Sequence, residues 1–461
     1  MSIAGRLQRY AQLGALAGRV GATLVTRRSA DGTGEDPGLR QRAEDLARTL
    51  GRMRGAAMKM GQTLAIAADH LDLAPELRTA LGALHAQGDA VPFEQIRATV
   101  EAQLGAPLDA LFAAFDPSPL GTASLAQAHA ATLHDGRPVV VKVLHDGVEE
   151  AVEADLSMLG ALPAALRAAG RPALQLEPIL KELRAHLHEE LDYAREAENI
   201  DAFVALYGDD PRVRIPRVVR ERSSARVLTL DHLPGRPVDV FVAVASKEAR
   251  ARAAHTLGEL FFEQTFRHRL LHADPHPGNF LFEADGRVGL LDFGCVKRFT
   301  PESVGAYARI VRGSLDGDRL GALRGVQAFG AWEGAHDDAA ADTLWTFCQA
   351  AVAPWRDGVY EVSEATPSLV RTLVGPAEAL ARHTEIVPPP DVVMLHRTVA
   401  GVYALGRRLG ATAAWGSVAA PHLAAAIAAA PLPTDAADAA DAARTTPAAR
   451  ATAPRTPTAP A

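Results

Sequence analysis

Apolar residues recur at helical spacing along most of the first hundred positions. The pattern covers residues 41–104, with interruptions near Leu73 and Gly88, and predicts an all-α region, because residues three and four apart share one helix face. Ahead of it, MSIAGRLQRYAQLGALAGRV is amphipathic but broken by Arg6, Arg9 and Arg19, which is too interrupted for a secretory apolar core. The polar, Gly/Asp-rich stretch RSADGTGEDPGL joins the two.

From Pro119 the period shortens. SLAQAHAATL, a turn at Asp135-Gly136 and PVVVKVL predict a hairpin with an apolar second strand. Helical patterns follow over 147–169 and 174–206, then PRVVRE and ARVLTLDHL predict two short strands. Beyond Pro234-Gly235 the chain is helix-rich, with its most apolar helix over 254–270. After that come a Pro-rich loop, a hairpin turning at Asp285-Gly286 and helices to residue 430. The last segment is Ala/Pro/Thr-rich, with too little large apolar surface to fold.

These patterns predict an α+β chain in five parts. They are an amphipathic helix and linker (1–40), a helical extension (41–115), a small lobe with inserted helices (116–235), a helical large lobe (236–430) and a tail (431–461).

Composition narrows the function. The 461 residues are 48% hydrophobic and carry a net charge of −7 with both signs interspersed, which gives no footprint for nucleic acid. Two cysteines, Cys295 and Cys348, support neither a disulfide framework nor a thiolate zinc site and fit a reducing, cytoplasmic setting. The longest uncharged run, 409–434, is interrupted by Gly410, Gly416, Pro421 and Pro431 and makes a poor membrane span. Residues 1–25 are the better candidate for peripheral contact at the inner face of a membrane.

The chemistry concentrates in LLHADPHPGNFLF, residues 270–282. His272, Asp274 and His276 have the residue types of a zinc or iron site, but that reading leaves Asn279 and the later Asp292-Phe293-Gly294 unexplained. The spacing H-x-D-x-x-x-x-N followed by a hairpin and D-F-G matches the catalytic arrangement of protein kinases. There, an aspartate orients the nucleophile's proton while an asparagine and a second aspartate hold Mg²⁺ between phosphates.

Lys142, inside VVVKVL, alternates to the face opposite its valine neighbours. An isolated strand lysine ordinarily lies along an exposed sheet face, and a phosphate-contacting one needs a carboxylate to fix it. Glu196 in HEELDYAREAEN is a candidate partner, although that charge-rich segment also reads as a solvated helix face. Ahead of the lysine strand, PLGTASLAQAH offers Gly121, Thr122, Ala123 and Ser124 as a small-residue turn that allows close backbone approach.

In this order, MKMGQ (Lys59, Gly61, Gln62), PLGTASLAQAH, VVVKV, EELDYAREAEN and HADPHPGN…LDFG resemble the UbiB/AarF family of atypical protein-kinase-like proteins over roughly residues 45–300. The resemblance implies a two-lobed protein-kinase-like fold with an N-terminal helical extension carrying the K-x-G-Q motif. It implies ATP and Mg²⁺, with Lys142 on the phosphates and paired to Glu196, Asp274 as the catalytic aspartate, and Asn279 and Asp292 as metal ligands. Glu190 and Asp192 match an E-x-D motif that engages Lys59 and Gln62.

The implied activity is that of an atypical kinase or ATPase serving isoprenoid quinone or related lipid metabolism, with an isoprenoid lipid or quinone precursor as partner. Gly121-Thr122 stand where the family's loop carries alanines, which leaves nucleotide preference open. Two alternatives stand beside this one. The first is a small-molecule phosphotransferase of the aminoglycoside or choline kinase type. The second is a nucleotide-gated scaffold without turnover.

Overall fold

The computed structural model describes residues 90–432, except for 124, 154–155, 158–183, 185–187, 189–190, 337, 357, 359 and 363–368. The expectations for 1–89, including Lys59, Gly61 and Gln62, for Ser124 and Glu190, and for the tail past residue 432 lie outside the described residues.

Helix α1 (Phe93–Leu104) and the short α2 (Leu108–Leu111) lead into β1 (Ala114–Thr122), β2 (Ala126–Thr132) and β3 (Pro138–Leu144). Helix α3 (Tyr193–Tyr207) and the two-residue β4 (Val213–Arg214) precede β5 (Val227–Asp231). Strand β5 completes an antiparallel sheet of order β1-β2-β3-β5.

The alternation in β3 sets the layers. Val139, Val141 and Val143 are fully buried and join Ile96, Val100, Leu108 and Leu111 of the two preceding helices in one core cluster. Each such valine contributes about 1.5–3 kcal/mol relative to an exposed one. Lys142 is thereby committed to the other face.

One expected strand is absent. PRVVRE makes a single bridge, Val218 to Leu230, and then closes into a 3-10 turn at Arg220–Arg222. Ser223 Oγ donates to Val219 O, and Ser224 Oγ accepts from Val227 N. These local side-chain bonds compete with a longer ladder.

Helices α4 (Val238–Val244) and α5 (Lys247–Phe262) follow, and α5 passes into a π-helical turn over Glu263–His268. Strand β6 (Leu270–His272) then gives way to a 3-10 turn at Pro277–Asn279, followed by β7 (Phe280–Phe282), β8 (Val288–Leu290) and β9 (Val296–Arg298). β7 and β8 are an antiparallel hairpin, and β4 adds to β8 in parallel. At the hairpin's tip Gly286 has φ +91°, and a Cβ there would lie 2.4 Å from Ala249 O, so both conformation and space demand glycine.

The rest is α6 (Pro301–Asp316), α7 (Arg319–Ala328), α8 (Ala339–Arg356), β10 (Tyr360–Val362), α9 (Leu369–Leu380), α10 (Pro390–Leu409), β11 (Ala411–Ala413) and α11 (Trp415–Ala429).

The chain divides into two compact units. One takes in residues up to Leu257, His272–Val296 and Ala404–Ala411, and the other Gly258–Leu271, Lys297–Tyr403 and the residues from Thr412 onward. The second unit is built on α6, capped by Thr300 with Pro301 in its first turn, and has its own core of Leu323, Val326, Trp332, Leu344 and Cys348. No helix among the described residues is long and apolar enough to cross a membrane.

Candidate functional site

All of the expected site residues that are described fall in the first unit, and five of them carry its charge and polar chemistry. Lys142 Nζ donates to Glu196 Oε1 at 2.7 Å and to Asp292 Oδ2 at 3.3 Å, and it sits 5.5 Å from the centre of the Tyr193 ring. Helix α3 supplies both Tyr193 and Glu196. It begins there because Asp192 caps it, accepting from Arg195 N at 2.9 Å. Asp192, expected to engage Lys59 and Gln62, is thus seen as a helix cap.

Electrostatics follow from this burial. The Glu196 side chain is 3% exposed, Lys142 18% and Asp292 46%. Burial alone would lower the pKa of the Lys142 ammonium. The Asp292 and Glu196 carboxylates outweigh that and hold Lys142 protonated well above the usual lysine range. Burial pushes the Glu196 carboxyl up, Lys142 pulls it back and Asp292 adds to the rise, for a net upward shift. Two carboxylates around one lysine leave a spare negative charge, and the exposed half of Asp292 is where it faces water.

The Pro-rich loop organises the other two residues. Asn279 Nδ2 donates to Asp274 Oδ2 at 2.7 Å and to Asp274 O at 3.2 Å, which turns the amide oxygen of Asn279 away from the carboxylate. Asn279 O accepts from Leu291 N at 2.8 Å, so the loop is stitched to the residue just before Asp292. His272 Nε2 donates to Leu291 O at 2.9 Å, and its ring packs edge-on to Phe293 at 5.2 Å. His276 Nδ1 accepts from Gly278 N.

Both imidazoles are therefore engaged in shaping the loop. Among the described residues, no three His, Cys, Asp or Glu side chains converge in a metal-holding group. The His272–Asp274–His276 reading therefore has no converging ligand set among the described residues.

Asp292 itself has φ +55°, a left-handed conformation that costs a non-glycine residue about 1–3 kcal/mol and persists only where neighbours over-determine it. Here Gly294 N donates to Asp292 Oδ1 at 3.2 Å, and Phe293 N donates to Glu196 Oε1 at 3.2 Å.

The small-residue turn lies on the same sheet. Gly121 pairs with Ala128, and Ala128 with Lys142, so Gly121 stands two strands away in the lysine's own row, about 10 Å off by sheet spacing. Nothing lies within 4 Å of where its Cβ would be. Thr122 pairs with Gln127, and Ala123 N closes the turn on Ala126 O.

A Mg²⁺–nucleotide fits this donor set. Mg²⁺ takes hard oxygen ligands, one or two carboxylates plus phosphates; Asp292 and the Asn279 amide oxygen would supply the protein's share, and Lys142 the countercharge to phosphate. Sequence reasoning missed Asn199 and Phe203, which grip Phe293 from α3. Their positions three and seven residues after Glu196, on one helix face, were the available signal.

Residues 83–324 match the ABC1 atypical kinase-like domain. The chain is similar to the rat (Rattus norvegicus) atypical kinase COQ8B, mitochondrial, with 32% identity over 88% of this chain and 78% of the relative. It also resembles the Saccharomyces cerevisiae atypical kinase COQ8, mitochondrial, at 29% over 78% and 72% respectively. A probable protein kinase UbiB from Marinobacter nauticus is 33% identical, over 58% of this chain and 50% of its own length.

Among solved structures, Rv3197 of Mycobacterium tuberculosis, determined as a complex with erythromycin, aligns with a TM-score of 0.57 at 26% identity, covering 82% of this chain and 95% of that one. With a family match across more than half its length and a relative 32% identical over 88% of it, the chain belongs to the ABC1 atypical kinase-like family.

Proposed function

We propose that the chain binds MgATP and acts as an atypical kinase or ATPase in support of isoprenoid quinone or related lipid metabolism. The observation that carries this reading is the Lys142–Glu196–Asp292 triad beside the Asp274–Asn279 pair, within 3.3 Å at each link. Lys142, kept protonated, would meet the phosphates. Asp274, oriented by the Asn279 amide, would accept the proton of an attacking hydroxyl or water. Bound Mg²⁺ would neutralise charge on the phosphate oxygens.

The lipid connection rests on kinship with the UbiB and COQ8 kinases. A small-molecule phosphoacceptor is the second reading, favoured by the erythromycin complex of the solved relative.

Thermal melting with and without MgATP tests the site. Ligand at a hundred times its Kd stabilises a fold by about 2.7 kcal/mol. Wild type should rise accordingly, and Asp292→Asn should lose most of that gain. If Asp292→Asn is stabilised by MgATP as much as wild type, the metal assignment fails. Phosphate release, measured with and without lipid vesicles, separates turnover from scaffolding: binding with no release in either condition would favour the scaffold. ADP formation stimulated by erythromycin without matching phosphate release, the phosphoryl group being recovered on a hydroxyl of the macrolide, would favour the small-molecule acceptor.

A further inference from the structure

We infer that Asn199 is a positioning residue that holds Asp292 in the conformation in which it would bind metal, by gripping the carbonyl of the next residue, Phe293; this deepens, and rests on, the MgATP reading above. Asn199 is 1% exposed and lies three residues after Glu196 on α3. Its Nδ2 donates to Phe293 O at 2.9 Å. Glu196 Oε1 accepts from Phe293 N at 3.2 Å, and the Phe203 ring packs on the Phe293 ring at 5.0 Å between centroids.

Residues 196, 199 and 203 form one stripe of the helix. That stripe therefore takes hold of Phe293 at three points, its N–H, its carbonyl and its ring.

The consequence is for the residue before it. Asp292 sits at φ +55°, and an aspartate relaxes out of that region unless its flanks are fixed. Any such relaxation swings the peptide between Asp292 and Phe293, which Glu196 holds from the N–H side. Glu196 is shared: the same Oε1 also takes the Lys142 ammonium at 2.7 Å. When phosphate competes for Lys142, the Glu196 contact is free to readjust.

Asn199 is different. Its amide carries no charge, and its bond to Phe293 O does not pass through Lys142, so it keeps the turn fixed while the lysine changes partners. The division of labour is specific. Lys142 governs attraction of phosphate, and Asn199 governs where the Asp292 carboxylate stands to receive the metal.

The test is the ratio of ATP affinities with Mg²⁺ and with EDTA, measured on the full chain with a fluorescent ATP analogue. Wild type should bind more tightly with Mg²⁺. Asn199→Asp, equal in shape but presenting an acceptor to the Phe293 carbonyl, should keep its EDTA affinity and lose about five- to tenfold of the Mg²⁺ gain, the size of one buried hydrogen bond. Asn199→Ala should do the same, and serves if the aspartate variant fails to fold.

A purely structural role would lower the melting temperature and leave the ratio intact, and an intact ratio in a folded variant overturns the inference. A wild-type ratio of one would instead overturn the MgATP reading itself, so the two failures are distinguishable.

Discussion

At Lys142 a single residue decides whether a buried charge is tolerable. Its alternation away from Val139, Val141 and Val143 was legible in the sequence, as was the spacing of Asp274, Asn279 and Asp292, because both are fixed by local geometry. The partnership of Asn199 with Phe293 was not, since it joins residues 94 positions apart and an asparagine on a helix suits many surroundings.

The buried pair itself makes a prediction with a sign. In Lys142→Met the Glu196 carboxyl loses its ammonium, so its folded pKa rises further above the unfolded value of about 4.3. Stability then drains as pH rises through the folded pKa, because the folded state binds the extra proton. Lys142 in wild type has its pKa raised, so its own contribution is complete below about pH 10.4 and constant over the range tested. The variant should fall about 3–5 kcal/mol below wild type at pH 8 and approach it at pH 5, as read from urea midpoints. A deficit that does not change with pH would remove Glu196 as its cause.

Among the elements, β2, β3, β5 and the β7–β8 hairpin followed the period-two patterns and turn residues closely. The helix expected over 254–270 instead begins at Lys247 and ends in the π-helical turn at Glu263–His268. A pattern of apolar spacing cannot register a change from i→i+4 to i→i+5 bonding over one turn. β1 likewise begins at Ala114, before the apolar signal, because its exposed flank carries no alternation.

Strand β2 carries a feature that no pattern announced. Gln127 Oε1 accepts from Val91 N at 2.8 Å, so its Nε2 faces His129 Nε2 at 3.0 Å and donates to it. His129 Nδ1 must then carry the proton it gives to Asp116 O, which fixes the ring as neutral. Burial lowers the His129 pKa against the opposing pull of Asp116. The unfolded chain therefore takes up the proton first, and the stability His129 lends is complete above about pH 6.5 and lost as pH falls through its folded value.

His129→Phe keeps a ring beside Phe93 and Phe115 but cannot titrate. It should be about 1–2 kcal/mol less stable at pH 7 and should lose less between pH 7 and pH 5 than wild type does. His268 and His422, whose pKa values burial also lowers, are present in both proteins and cancel. Parallel stability curves would mean that protonation of His129 is not what acid disrupts.

For the molecule as a whole, the two compact units each contain one of the chain's two cysteines. Cys295, directly after Gly294, belongs to the first and Cys348 to the second. Both are buried, and burial pushes the Cys348 thiol up to about 12 against the pull of Ser314. Since the thiolate is the reactive form, labelling of either cysteine requires its surroundings to open, and each thiol reports local opening of its own unit.

All five residues of the proposed site lie in the first unit. MgATP should therefore slow labelling of Cys295, studied in Cys348→Ala, by up to about a hundredfold at a hundred times its Kd. Cys348, studied in Cys295→Ala, should be protected less. Equal protection would mean that the two units open as one. Protection of Cys348 alone would place the nucleotide away from Lys142 and Asp292, because a ligand raises the opening free energy only of the part that must open for it to leave.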